Sequence, residues 1–125
     1  RAEIAERYNT AFAGLPGVTT PAQSPGTTHA WHLYVLRVDR DRVDGGRDGL
    51  IADLTASQIG SSVHFIPLHH HPAYADEGRA HAGRLPETER YYREAVSLPL
   101  FPAMTDDEVG DVIDIVTRSL TRRAG

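Results

Sequence analysis

Residues 60–72 read GSSVHFIPLHHHP. This stretch gathers His64, Phe65, His69, His70 and His71 around one apolar run that prolines interrupt at 67 and 72. Val63, Phe65 and Ile66 are strand formers, so Ser62 to Ile66 is expected as a strand in which His64 points opposite to Val63 and Phe65. Pro67 cannot donate to a sheet ladder and marks the strand's end. A histidine cluster at a strand end points to chemistry, because imidazoles bind metals, donate to phosphates and hydroxyls, and move protons.

Around this stretch the chain alternates helices and strands. Ile4, Tyr8, Ala11, Phe12 and Leu15 share one helical face until Gly14, Pro16 and Gly17 stop the run. TTPAQSPGTT, residues 19–28, reads as an exposed loop. WHLYVLRV, Trp31 to Val38, is too apolar to be half-solvated and reads as an inner strand. DRDRVDGGRD, residues 39–48, is expected as a solvated turn. Leu50, Ile51 and Leu54 mark a short helix ending near Gln58. Tyr74 to Gly83 looks loop-like, and Pro86 suits the first position of a helix carrying Tyr91, Tyr92 and Ala95, the two tyrosines splitting between core and surface. SLPLFP, Ser97 to Pro102, is expected to be extended and to dock Leu98, Leu100 and Phe101 on a neighbouring surface. Thr105 and Glu108 form a capping box ahead of Val109, Val112, Ile113, Val116 and Leu120, with Arg118, Arg122 and Arg123 suited to the helix's C-terminal end. The sum is an α/β domain of two layers, helices covering at least one face of a small sheet.

Composition narrows the function. The 125 residues suit one domain, large enough to bury roughly two-thirds of its unfolded surface. A net charge of -4, with arginines scattered among acids, argues against nucleic acid. No apolar run approaches the roughly 20 residues of a membrane span. There are no cysteines, hence no disulfides or thiolates, which suits a cytoplasmic protein. All 13 basic residues are arginines, so no side chain can form a Schiff base. The abrupt start at Arg1, already in helical rhythm, suggests a piece of a longer protein.

Taken together, IAERYN (4–9), GLPGV (14–18), HLYVLRV (32–38), IGSSVHFIPLH (59–69), PAY (72–74) and SLPLFPAMTDDE (97–108) resemble the C-terminal part of the DegT/DnrJ/StrS sugar aminotransferases. The resemblance implies the small C-terminal domain of the aspartate-aminotransferase fold, fold type I, of pyridoxal-phosphate (PLP) enzymes. It implies amino transfer, usually from glutamate, to a keto sugar on a nucleotide, in a homodimer whose large N-terminal domain holds PLP on a lysine. This chain would bind no cofactor alone and be silent by itself. The resemblance places His64, Phe65 and His69 beside the sugar-nucleotide cleft, and His32 opens a strand that the cleft could reach together with Trp31 and Arg37. The bland alternatives are that His64 and His69 satisfy buried polar groups, that Phe65 is core, and that Arg37 pairs with Asp39 or Asp41. A variant with histidine for the upstream lysine would be a dehydratase. A free-standing sugar- or nucleotide-binding module and a histidine metal module are the other classes. The spacing speaks against metal, because adjacent histidines in an extended segment point to opposite sides and no cysteine completes a set. Cutting away the large domain should leave apolar surface from Leu98, Leu100, Phe101 and the first helix.

Overall fold

The computed structural model describes residues 1–81 and 83–125, the side chain of Glu77 excepted. Helix α1 (Ala2–Phe12) leads to a short strand β1 (Val18–Thr19), then to β2 (Tyr34–Val38) and helix α2 (Gly46–Ala56). Two single 3-10 turns, Leu68–His70 and Pro72–Tyr74, precede helix α3 (Ala75–His81). Helix α4 (Pro86–Glu94) runs straight into β3 (Ala95–Leu98), and helix α5 (Asp106–Arg123) closes the chain's described elements.

The sheet is antiparallel in the order β1-β2-β3, with Val18 opposite Val38, Tyr34 opposite Leu98 and Leu36 opposite Val96. β2 is the inner strand, as its apolar run predicts. Alternation along it buries Tyr34, Leu36 and Val38, and the register puts Val96 and Leu98 beside them. Tyr8 and Phe12 of α1, Leu50 and Leu54 of α2, and Val109, Val112, Val116 and Leu120 of α5 join these in one core. The opposite face of the sheet carries Val35, Arg37, Ala95 and Ser97, and the histidine segment attaches at the free edge of β3 by a backbone bridge to Ser97.

Several expectations need correction. Ser62 to Ile66 forms no strand: it makes one bridge, Ser62 to Ser97, with both backbone bonds exchanged at 3.2 and 2.7 Å. The next bonded pairs of an antiparallel ladder would be residue 60 with 99 and 64 with 95. Pro99 has no N–H. The N–H of Ala95 is spent on the Tyr91 carbonyl, and its carbonyl accepts from Arg47 Nη1 at 3.1 Å. The ladder is blocked on both sides.

Leu98 and Leu100 are buried in this chain's own core, as are Tyr8 and Phe12, so neither the extended segment nor the first helix offers them outward. Phe101 alone of that group is exposed. Trp31 is core as well: its amide donates to His29 Nδ1 at 2.9 Å and its ring stacks on Tyr34. Residues 75–81 of the expected loop are helical, Ala95 belongs to a strand, Thr19 pairs with Arg37, and α2 starts inside the expected turn, at Gly46. There Gly45 and Gly46 take positive φ, and a Cβ on Gly46 would lie 2.8 Å from that of Arg40.

The Thr105–Glu108 capping box forms at the start of α5. At its other end Asp53 of α2 accepts from Ser119 Oγ at 2.5 Å, Arg122 Nη2 at 2.7 Å, and Arg123 Nε and Nη2 at 3.0 and 3.2 Å. These bonds, Arg123's first, hold the Asp53 carboxyl well below its ordinary range. A carboxyl lowered on folding stabilises above its unfolded pKa of about 3.9 and ceases to as pH falls toward its folded value. Asp53→Asn is therefore expected to cost about 2 kcal/mol at neutral pH, and the gap from wild type to narrow in urea titrations run from pH 5 down to pH 3.

Candidate functional site

The blocked ladder releases the chain after Ser62, and the residues that follow turn their side chains to two different tasks. His64 stays on the sheet. Its Nδ1 lies 2.8 Å from Ser97 Oγ, a hydroxyl on a strand residue only 4% exposed. The imidazole is half-buried, and this bond fixes its plane. The His64–Phe65 peptide is cis, and the two rings meet edge to face at 4.7 Å. Phe65 itself is 75% exposed, Leu68 69%, and Ile66 and Tyr74 about half. Four large apolar side chains within ten residues are thus turned outward, a local concentration of the kind that marks interaction surfaces. Phe65 is therefore not core.

His69 and His70 leave the sheet with the first 3-10 turn. Their Nε2 atoms lie 2.5 and 2.7 Å from one oxygen, Oε1 of Glu89 on α4. The two bonds, from His69 and then His70, hold the Glu89 carboxyl below its ordinary value. The turn closes through His70 N–H on the Pro67 carbonyl and His71 N–H on that of Leu68. This segment is not extended, so adjacent histidines converge instead of diverging. Nothing in the sequence links Glu89 to a site twenty residues upstream; its carboxylate could have been found only from the fold.

The remaining candidates lie apart. His32 is exposed on the approach to β2 and makes no hydrogen bond among the described residues. Arg37 pairs not with Asp39 or Asp41 but with Glu94, its Nε and Nη2 2.9 and 2.5 Å from one carboxylate oxygen, and its guanidinium covers Tyr91. Arg47 is buried under Ala95, with Asp48 2.6 Å from its Nε and the Tyr92 ring beneath it. Arg37 is occupied within the fold, whereas Arg47 is bonded through Nη1 while its buried Nε lies near Asp48 without forming a hydrogen bond. Tyr91 is exposed and Tyr92 half-buried, so the two face different ways as expected, but neither belongs to the core.

Residues 1–117 match the model of the DegT/DnrJ/EryC1/StrS aminotransferase family. The chain belongs to this family. It is 46% identical over 117 residues to the spore coat polysaccharide biosynthesis protein SpsC of Bacillus subtilis, covering 93% of this chain and 30% of that protein. It is 37% identical to the dTDP-3-amino-3,4,6-trideoxy-alpha-D-glucose transaminase of Streptomyces venezuelae, over 93% of this chain and 29% of the relative. The crystal structure of S. venezuelae DesV in complex with a ketimine intermediate superposes with a TM-score of 0.84 at 35% identity, over 95% of this chain and 30% of that one. The chain thus spans about 30% of the length of the relatives it matches, and its α/β fold is that of part of a fold-type-I PLP aminotransferase. Aminotransferases of this family act through PLP. The residues present do not fit that cofactor's anchor, because no lysine exists here to hold its aldehyde.

Two outcomes follow from the geometry. Ser97→Ala should leave the fold intact while freeing the His64 ring, seen as loss of a single Nδ1 environment in nitrogen NMR of the imidazoles. The isolated chain should self-associate through its apolar patch; Phe65→Ser with Leu68→Ser is expected to return it to monomer in sedimentation and to abolish hydrophobic-dye binding.

Proposed function

We propose that this chain is the small C-terminal domain of a PLP-dependent aminotransferase that moves an amino group from glutamate to a keto sugar carried on a nucleotide. The observation that carries the reading is the family match over residues 1–117, alongside relatives that are sugar aminotransferases. The missing lysine agrees with it, since the Schiff-base amine then belongs to a large domain. Alone, the chain would be inactive. The working protein would be a cytoplasmic homodimer in which the large domain or the second subunit covers the patch around Phe65 and Leu68. A patch this apolar supports a partner other than nucleic acid, and no helix among the described residues is long and apolar enough to cross a membrane.

In this reading His64 and Phe65 form the sugar-nucleotide wall. With Nδ1 engaged by Ser97, the Nε2 of His64 is left to meet a sugar hydroxyl or phosphate oxygen, and the exposed face of Phe65 offers apolar contact to the sugar or base. His69 can join through Nδ1, its Nε2 being held by Glu89. The exposed ring of His32 is a further contact to the same substrate. None of these residues takes part in bond making; they bind and orient.

The intact protein, given glutamate and a nucleotide-linked keto sugar, should release 2-oxoglutarate in step with the amino sugar. Sugar consumed with loss of water and no 2-oxoglutarate would replace this reading with dehydration, and binding without turnover would leave a sugar-binding module. His64→Ala should raise the KM for the sugar nucleotide about tenfold, the worth of one hydrogen bond, while leaving the KM for glutamate unchanged.

A further inference from the structure

Of the cluster formed by His69, His70 and Glu89, the proposed transfer uses only Nδ1 of His69; the two Nε2 atoms and the Glu89 carboxylate are left outside it. The ligand atoms of the three lie within 4.8 Å of one another. Both imidazoles aim the same ring nitrogen, Nε2, at the same carboxylate oxygen, at 2.5 and 2.7 Å. One carboxylate oxygen thus meets both imidazoles while the other makes no bond among the described residues.

The surroundings hold this convergence in place. Helix α3 approaches the turn so closely that a Cβ on Gly78 would fall within 2.3 Å of the His69 carbonyl oxygen. Tyr92, one turn beyond Glu89 on α4, sets its ring edge against that of His70 with centroids 5.5 Å apart. His69 has a side chain 14% exposed, Glu89 30% and His70 36%, so the ligand atoms are partly desolvated yet reachable. Beside them opens a recess of about 430 Å³ that His71 also lines.

We propose that His69, His70 and Glu89 bind one divalent cation of borderline softness, of which Zn²⁺ is the representative. Zinc holds imidazole nitrogen and carboxylate oxygen at about 2.0 to 2.2 Å, which sets neighbouring ligand atoms about 3.3 Å apart in a tetrahedron. The Glu89 carboxylate reaches that spacing by drawing back less than about 1 Å, within a rotamer adjustment, while the ring protons on Nε2 are displaced. Two nitrogens and one oxygen suit Zn²⁺, Ni²⁺ or Co²⁺ rather than Mg²⁺ or Ca²⁺, which take oxygen. The recess leaves the fourth position to water or to His71. Bound there, the ion ties the 3-10 turn to α4 and closes the chain across α3 into a loop of twenty residues.

Chelator-treated intact protein, titrated with Zn²⁺ against a chromophoric chelator, should take up one equivalent per chain with a Kd of about 1 µM or below. Co²⁺ in the same site should show visible ligand-field bands, and the bound metal should raise Tm by several degrees, reversed by chelator. His70→Ala and Glu89→Gln should each weaken binding about tenfold or more, whereas His81→Ala should not. The same circular dichroism spectrum in all variants confirms that they fold. No uptake at micromolar Zn²⁺, or uptake that Glu89→Gln leaves unchanged, overturns the site. The result is independent of the aminotransferase reading, because it is read from metal and not from turnover.

Discussion

Tyr34 is the residue on which the three parts of the fold converge. Its backbone sits opposite Leu98, so it holds the inner strand to β3. Its ring meets Tyr8 edge-on at 5.0 Å, Phe12 at 6.4 Å and Trp31 at 6.0 Å. Its hydroxyl donates to Asn9 Oδ1 at 2.9 Å, and that of Tyr8 donates to the Pro99 carbonyl at 3.0 Å. A buried phenol must find an acceptor, and both do. Burial pushes the Tyr8 phenol up to about 12 and that of Tyr34 higher still, so both remain protonated donors at any physiological pH. The aromatic cluster thereby fixes α1, the sheet and the turn after β3 relative to each other.

That arrangement gives the small sheet two unlike faces. One is closed by α1, α2 and α5 around aliphatic and aromatic side chains. The other is thinner, and the polar groups it carries are paired one by one: Arg37 with Glu94, Ser97 with His64, Arg47 with the Ala95 carbonyl. Each pairing joins a strand to α4, to α2 or to the histidine segment. A half-buried polar face needs such partners, because an unpaired group there costs as much as a good apolar contact gains. Ser62 and His64 are thus held to the sheet by specific bonds to Ser97, while Phe65, Ile66 and Leu68 beyond them stay exposed.

Much of this was legible in the sequence. The helical spacing from Val109 to Leu120, the capping box before it, the apolar run ending at Val38 and the periodicity from Ile4 to Phe12 all carry strong local signals, and each formed, although the strand begins only at Tyr34 and leaves Trp31 and His32 outside it. What failed were inferences about where extended chain would go. Val63 to Ile66 has strand composition but no ladder to join, and Leu98 and Leu100 flank Pro99 yet turn inward. Both are decided by partners distant in sequence, Arg47 and the core of α5, which no local pattern reveals. The family resemblance was legible because it rests on several short runs in order, whereas the Glu89 cluster was not, because its members are linked only through the packing of α3 and α4.

The interruption at Ser62 is also what makes the histidines useful. Had the ladder run on through residue 66, His64 would have been locked at a strand position and Phe65 pressed into a sheet neighbour, with the prolines ending the strand in open solvent. Because Ala95 spends both its backbone groups elsewhere and Pro99 offers no donor, the chain pairs once and then curls. One bridge suffices to bring His64 over Ser97. The curl that follows sends Phe65 and Leu68 outward and carries His69 and His70 back toward α4, so a single failed strand yields an oriented imidazole, outward apolar side chains and two histidines that meet Glu89. The same Arg47 that ends the ladder also stands over Tyr92, whose ring supports His70. A buried cation in α2 is thus linked, through the Ala95 carbonyl and the Tyr92 ring, to the neighbourhood of His70.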